Sequence, residues 1–145
     1  MSKVTITENK FCTIQIDEEL ELYEQVWHPA SEEMEENEYK EIHSSMVTYI
    51  KDNYSQAPLY WLLDNRSNNY SISPELQEWH AQNVFGQLAQ ILQHPERLKI
   101  AFLVSEDFIT QLSNEQTIEE HKETEKGTRY FTEEQEAREW LYGIT

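Results

Sequence analysis

Leu59-Tyr60-Trp61-Leu62-Leu63-Asp64-Asn65-Arg66 is the stretch that decides the fold. Its first five residues form an unbroken apolar run, introduced by Pro58 and rich in aromatic rings. A run so short and so continuous reads as a strand covered on both faces, as in a parallel sheet. Leu98 to Val104 repeats the signature, so the two strands are expected side by side, with the Asp64-Asn65-Arg66 turn at their shared rim. Between them, Ser73-Pro74-Glu75 supplies a cap, a first-turn proline and a first-turn acid, the order in which a helix starts. Leu76, Trp79, His80, Asn83, Leu88, Ile91 and Leu92 carry that helix to Gln93. Gly86 inside it costs about 1 kcal/mol relative to alanine, which a close helix–sheet contact would explain.

Upstream, the pattern changes from continuous to alternating. Phe11 to Ile16 places Cys12, Ile14 and Ile16 on one face, and Leu20 to Trp27 alternates too, which predicts two half-buried strands of a hairpin. Val4 to Ile6 adds an extended segment. Pro29 stops the second hairpin strand, and Ser31 reads as the cap of a helix whose first turns carry Glu32, Glu33, Glu35 and Glu36. Tyr39, Ile42, Met46 and Tyr49, with His43, Val47 and Ile50 beside them, give that helix one apolar face as far as Asp52-Asn53. Downstream, Ser105-Glu106-Asp107 begins a further helix, and Ser113 with Gln116 suggests a capping box for a segment reaching about Lys126. Thr128 to Phe131 reads as a short edge strand. Thr132 and Gln135 then cap a last helix with Ala137, Trp140 and Leu141 inward. The expected class is α/β: a mixed sheet, an N-terminal antiparallel hairpin followed by parallel β-α units, flanked by about four helices. Residues 1–145 are read as a single domain.

Composition narrows the function classes. The chain of 145 residues is 38% hydrophobic and 12% aromatic, enough for a core, and carries 28 acids against 11 bases for a net charge of −17. Phosphate backbones and anionic lipid surfaces repel such a chain without a local basic patch, and no run of Lys or Arg occurs. Nucleic-acid and membrane partners are therefore not expected. No apolar stretch approaches the roughly 20 residues of a spanning helix. Met1-Ser2-Lys3-Val4-Thr5 lacks the apolar segment of a signal peptide, and a cytoplasmic location is expected. The single cysteine, Cys12, allows no internal disulfide and reads as a small core residue.

Motifs that announce catalysis are absent. Gly86, Gly127 and Gly143 are too dispersed for a phosphate-cradling loop, and the five histidines show no zinc-ligand spacing. His43 and His80 fall on apolar helix faces and read as packed side chains. No cofactor and no metal are implied. What stands out is the loop after the central strand: Asp64, Asn65, Arg66 and Ser67, then Ser73 at the next helix start. In open α/β sheets, ligands and partners gather at that edge. A structural reading stands beside it, in which Asp64 holds the loop amides and Arg66 pairs with a neighbouring acid.

These residues carry a family resemblance. Trp61 to Arg66, Ile72-Ser73-Pro74-Glu75-Leu76-Gln77-Glu78-Trp79, Leu98 to Phe102, and Arg129-Tyr130-Phe131 with Glu136-Ala137 and Trp140-Leu141 resemble small bacterial STAS-like proteins, the domain shared by sulfate transporters and anti-sigma-factor antagonists. The resemblance spans Phe11 to Leu141 and implies a SpoIIAA-like fold and a stand-alone module that works through protein contacts rather than catalysis. Antagonists of that family carry a phosphorylatable serine in an aspartate-serine-(serine/threonine)-glycine motif. Here the loop reads Asp64-Asn65-Arg66-Ser67-Asn68-Asn69-Tyr70-Ser71, which lacks it.

The leading expectation is a non-enzymatic, regulatory protein-interaction module, with Arg66 offering a fork to a partner carboxylate. A homodimer is expected as well, because an apolar strip on the half-covered hairpin would require burial. The alternative is a binder of a small hydrophobic ligand or lipid, in a pocket walled by Trp27, Tyr60, Trp61 and Trp79. An enzyme would need His43 or His80 to meet Asp64 in one cleft.

Overall fold

The computed structural model describes residues 3–114 and 127–142, with the side chains of 111–114 left aside. The capping box expected at Ser113 and Gln116 lies outside them. Six strands form one sheet in sequential order: β1 (Lys3–Glu8), β2 (Cys12–Asp17), β3 (Leu22–Trp27), β4 (Tyr60–Asp64), β5 (Lys99–Leu103) and β6 (Thr128–Phe131). The first three are antiparallel and the rest parallel. The expected α/β class with a mixed sheet is what the chain adopts. β4 and β5 pair from Tyr60 opposite Lys99 to Asp64 opposite Leu103, so the decisive stretch lies where its apolar run places it.

Helix α1 (Glu36–Asn53) follows β3, and α2 (Pro74–His80) follows β4. From α2 the chain passes through a π turn (Ala81–Phe85) into the short α3 (Gly86–Ala89). α4 (Glu106–Asn114) follows β5, and α5 (Glu134–Tyr142) closes the described chain. Strand alternation assigns the faces. Tyr23, Trp27, Trp61 and Leu63 point to the side of α1, α2 and α3, whereas Leu22, Leu62, Ala101 and Leu103 point to α5 through Ala137 and Leu141. Phe108 of α4 approaches Tyr130 at 6.1 Å between ring centroids. No described helix is long and apolar enough to cross a membrane.

Several local expectations shift. β3 is not half-buried: Leu22, Tyr23, Glu24, Gln25 and Trp27 are all buried, because a strand between β2 and β4 with helices above and below is wet on neither side. Leu20 lies instead on the β2–β3 turn, where Glu21 takes the positive φ of 53° that a glycine would ordinarily supply. Ser31 does not cap α1. Residues Pro29–Glu33 form a 3₁₀ turn, and the cap is Glu35 in a capping box with Glu38. Ser31 is buried and staples two loops, donating to the Ser67 carbonyl at 3.4 Å and accepting from the Asn69 N–H at 2.9 Å. Ser73 caps α2 as expected, its hydroxyl accepting from the Leu76 N–H at 3.1 Å. In α5 the Glu133 carbonyl takes the first helical bond, from the Ala137 N–H at 3.2 Å, so the cap lies one residue beyond Thr132.

The helix expected to run unbroken to Gln93 contains the π turn, where the Gly86 N–H bonds the Ala81 carbonyl five residues back. No close sheet contact demands Gly86, since a Cβ there would lie 3.5 Å from the Ala81 carbonyl, an ordinary contact. The hairpin's apolar side, Cys12, Ile14 and Ile16, is buried among α1 side chains. Among the described residues that removes the uncovered strip on which the dimer expectation rested.

Candidate functional site

The rim loop after β4 is built by Asp64. Its Oδ1 accepts from the Arg66 N–H at 3.1 Å and from Arg66 Nε at 3.0 Å, and Oδ2 accepts from Arg66 Nη2 at 2.7 Å. The guanidinium fork is thus closed on the chain's own carboxylate. The hydrogen bonds to Asp64 come first among the causes that raise the Arg66 pKa. Arg66 also approaches Glu134 Oε1 at 3.5 Å, and Glu134 Oε2 accepts from Arg138 Nε at 2.9 Å. Arg138 continues to Glu24, whose other oxygen lies 3.1 Å from Lys3 Nζ. Burial works against charge on Arg138, but the hydrogen bonds it donates to Glu24 and Glu134 outweigh it and raise its pKa. Six alternating charges, Lys3, Glu24, Arg138, Glu134, Arg66 and Asp64, therefore tie β1, β3 and β4 to α5. Asn65 donates its N–H to Leu103 at 2.8 Å and accepts from Asn68 at 3.2 Å. Asp64, Asn65, Arg66 and Ser67 are brought together, but as a strut.

On the opposite face a cavity of about 270 Å³ opens between the sheet and the α1, α2 and α3 helices. Trp61, Leu63, Leu98 and Ile100 form its floor; Met46, Val84, Leu88 and Leu92 form its walls. Phe85, on the π turn, stands at the opening and is 53% exposed. The wider turn is what carries Val84 inward and Phe85 to the rim. Gln25, His43 and His80 bring the polar atoms. Gln25 is held beneath the floor, its oxygen accepting from the Tyr23 hydroxyl at 2.6 Å and its side chain bonding the Cys12 thiol. Burial pushes that thiol up to about 12.

His43 and His80 stand edge to face with ring centroids 4.9 Å apart. His43 Nδ1 lies 2.9 Å from the Tyr39 carbonyl on its own helix. Burial pushes His43 down to about 4, with the Tyr39 bond opposing and His80 adding, and burial alone pushes His80 down to about 4. Both rings are therefore neutral near pH 7. Among the described residues no group of three or more His, Cys, Asp or Glu side chains could hold a metal ion.

Of the four aromatics expected to wall a pocket, only Trp61 does so. It is fixed by its indole N–H, which donates to the Pro58 carbonyl at 2.8 Å. Trp27 stacks on Tyr39 at 6.1 Å, and Trp79 meets Tyr39 edge-on at 6.4 Å. Tyr60 packs on the α5 side, as strand alternation requires. Asp64 shares that side with Leu62, so neither His43 nor His80 shares a cleft with it, and an acid–base pair between them is excluded. The two histidines are the lining groups that sequence reasoning set aside as packed; their shared apolar faces on neighbouring helices were the available signal. No protein-family model, no curated protein and no solved structure matches this chain.

Proposed function

We propose that the chain is a non-enzymatic binding module, STAS-like in the succession of its motifs, whose cavity takes a small apolar molecule. One observation carries the reading: an apolar hollow of about 270 Å³ within reach of solvent, floored by a hydrogen-bonded tryptophan. Native interiors hold few voids larger than a water molecule, and an apolar cavity of about 150 Å³ already accepts benzene. A protein-contact role at Asp64–Ser67 has less support, because the inner fork of Arg66 is occupied.

Naphthalene, two fused rings without a polar group, is the direct probe. Titrated against the protein and followed by its own fluorescence, it should bind saturably at one per chain. Val84→Phe, which fills the wall, should weaken that binding at least tenfold while circular dichroism stays native. Failure of naphthalene to saturate, or equal binding by a folded Val84→Phe, overturns the reading.

A further inference from the structure

We propose that the cavity selects neutral compounds carrying one hydrogen-bond donor, a phenolic or alcoholic hydroxyl or an indole-type N–H, and that His43 Nε2 is the acceptor. The proposal rests on the apolar-cavity reading above and names the ligand class for that same site. His43 Nδ1 lies 2.9 Å from a carbonyl oxygen, which can only accept, so the ring hydrogen sits on Nδ1. In a neutral imidazole the other nitrogen is then a bare acceptor. The ring is only 3% exposed and lines the cavity, and among the described residues none bonds Nε2. A ligand donor reaching that nitrogen gains a hydrogen bond that a purely apolar ligand cannot make.

The other polar lining groups do not compete. Gln25 already bonds Tyr23 and Cys12. His80 is half-buried and stands edge to face with Phe85 at 5.0 Å, so its nitrogens lie nearer to water than those of the 3%-exposed His43. Charge decides against ions. The lining contains no Lys, Arg, Asp or Glu, so a carboxylate or an ammonium would enter an apolar space without a counter-charge, which is strongly unfavourable. The net charge of −17 repels anions further. Size agrees: about 270 Å³ suits two fused rings with one substituent better than a long acyl chain.

Four probes of one shape test this near pH 7: naphthalene, 2-naphthol, 2-methoxynaphthalene and 2-naphthoate. A hydrogen bond contributes about 1 kcal/mol net, roughly a fivefold change in affinity. 2-Naphthol should bind about fivefold tighter than naphthalene and 2-methoxynaphthalene, and 2-naphthoate at least tenfold weaker than 2-naphthol. In His43→Phe the advantage of 2-naphthol over naphthalene should fall to none. The wild-type comparison stands even if that variant does not fold. Equal binding of 2-naphthol and naphthalene, or tighter binding of 2-naphthoate, overturns the donor proposal and leaves the apolar cavity standing. Binding by none of the four overturns the cavity reading, and the donor proposal with it.

Discussion

The two faces of the sheet handle polar residues in opposite ways. Under α5, Glu24 and Asp64 are buried beside apolar neighbours, and each is matched by an arginine within a chain of six charges. Under α1 and α2, His43 is buried and His80 half-buried with no counter-charge; burial keeps both rings neutral, and the space between them and Trp61 is left hollow. Charges matched in ion pairs make a strut, and neutral polar groups beside a hollow make a site. The residues that look reactive in the sequence, Asp64 and Arg66, fall in the first class. The two histidines that look like packing fall in the second.

That contrast can be broken on either side. The largest effect is expected from acid on the histidine face. Unfolded His43 takes its proton near 6.5, but the folded side chain only near 4. Between those values the unfolded state binds more protons, so stability is complete above 6.5 and is lost as pH falls toward 4. At 1.36 kcal/mol per pH unit the loss reaches about 3 kcal/mol. The groups facing His43 are Tyr39 on its own helix, Trp27 on β3 and His80 on α2, none of them a carboxylate that could rescue the charged ring. Urea unfolding of the wild type and His43→Phe at several pH values should therefore give curves that diverge by that amount. Parallel curves would show that His43 protonates freely.

The strut is tested by Arg138→Met, which leaves the buried Glu24 with Lys3 as its remaining counter-charge. Breaking a fully buried pair costs about 3–5 kcal/mol; because the Arg138 side chain is 29% exposed, about 2–3 kcal/mol is expected here. Adding Glu24→Gln should recover most of it, and a single variant that unfolds like the wild type would mean the chain of charges holds nothing. The smallest effect has the opposite sign. Gly86 has a helical backbone and room for a Cβ, so Gly86→Ala should stabilise by about 0.5–1 kcal/mol. A loss of thermal stability would mean that the π turn needs its glycine.

The framework was legible because its signals are local. Tyr60 to Leu63 and Ile100 to Leu103 are apolar without a break, and Ser73-Pro74-Glu75 announces a helix start that the structure repeats. The departures came where a residue's role depends on what lies across space. Glu24 and Gln25 are polar positions on opposite faces of one strand, and both are buried because β4 pairs beside them, α5 covers the first and the α1 side covers the second. Ser31 has the chemistry of a cap, but its partners are Ser67 and Asn69, far along the chain. Arg66 looks like an open fork, and a carboxylate two residues away closes it. The cavity itself depends on the π turn at Ala81–Phe85, whose one extra residue shifts the phase of the apolar face too briefly to be told from an ordinary helix in a single sequence.

Methyl-resolved NMR during a naphthalene titration puts the central claim to its most direct test, because the two faces report separately. Saturable shifts are expected in the methyl groups of Leu63, Val84, Leu88 and Ile100, which line the cavity, with those of Leu22, Leu62, Leu103 and Leu141 across the sheet unmoved. Shifts confined to the α5 face, or no shifts at all, would contradict the account.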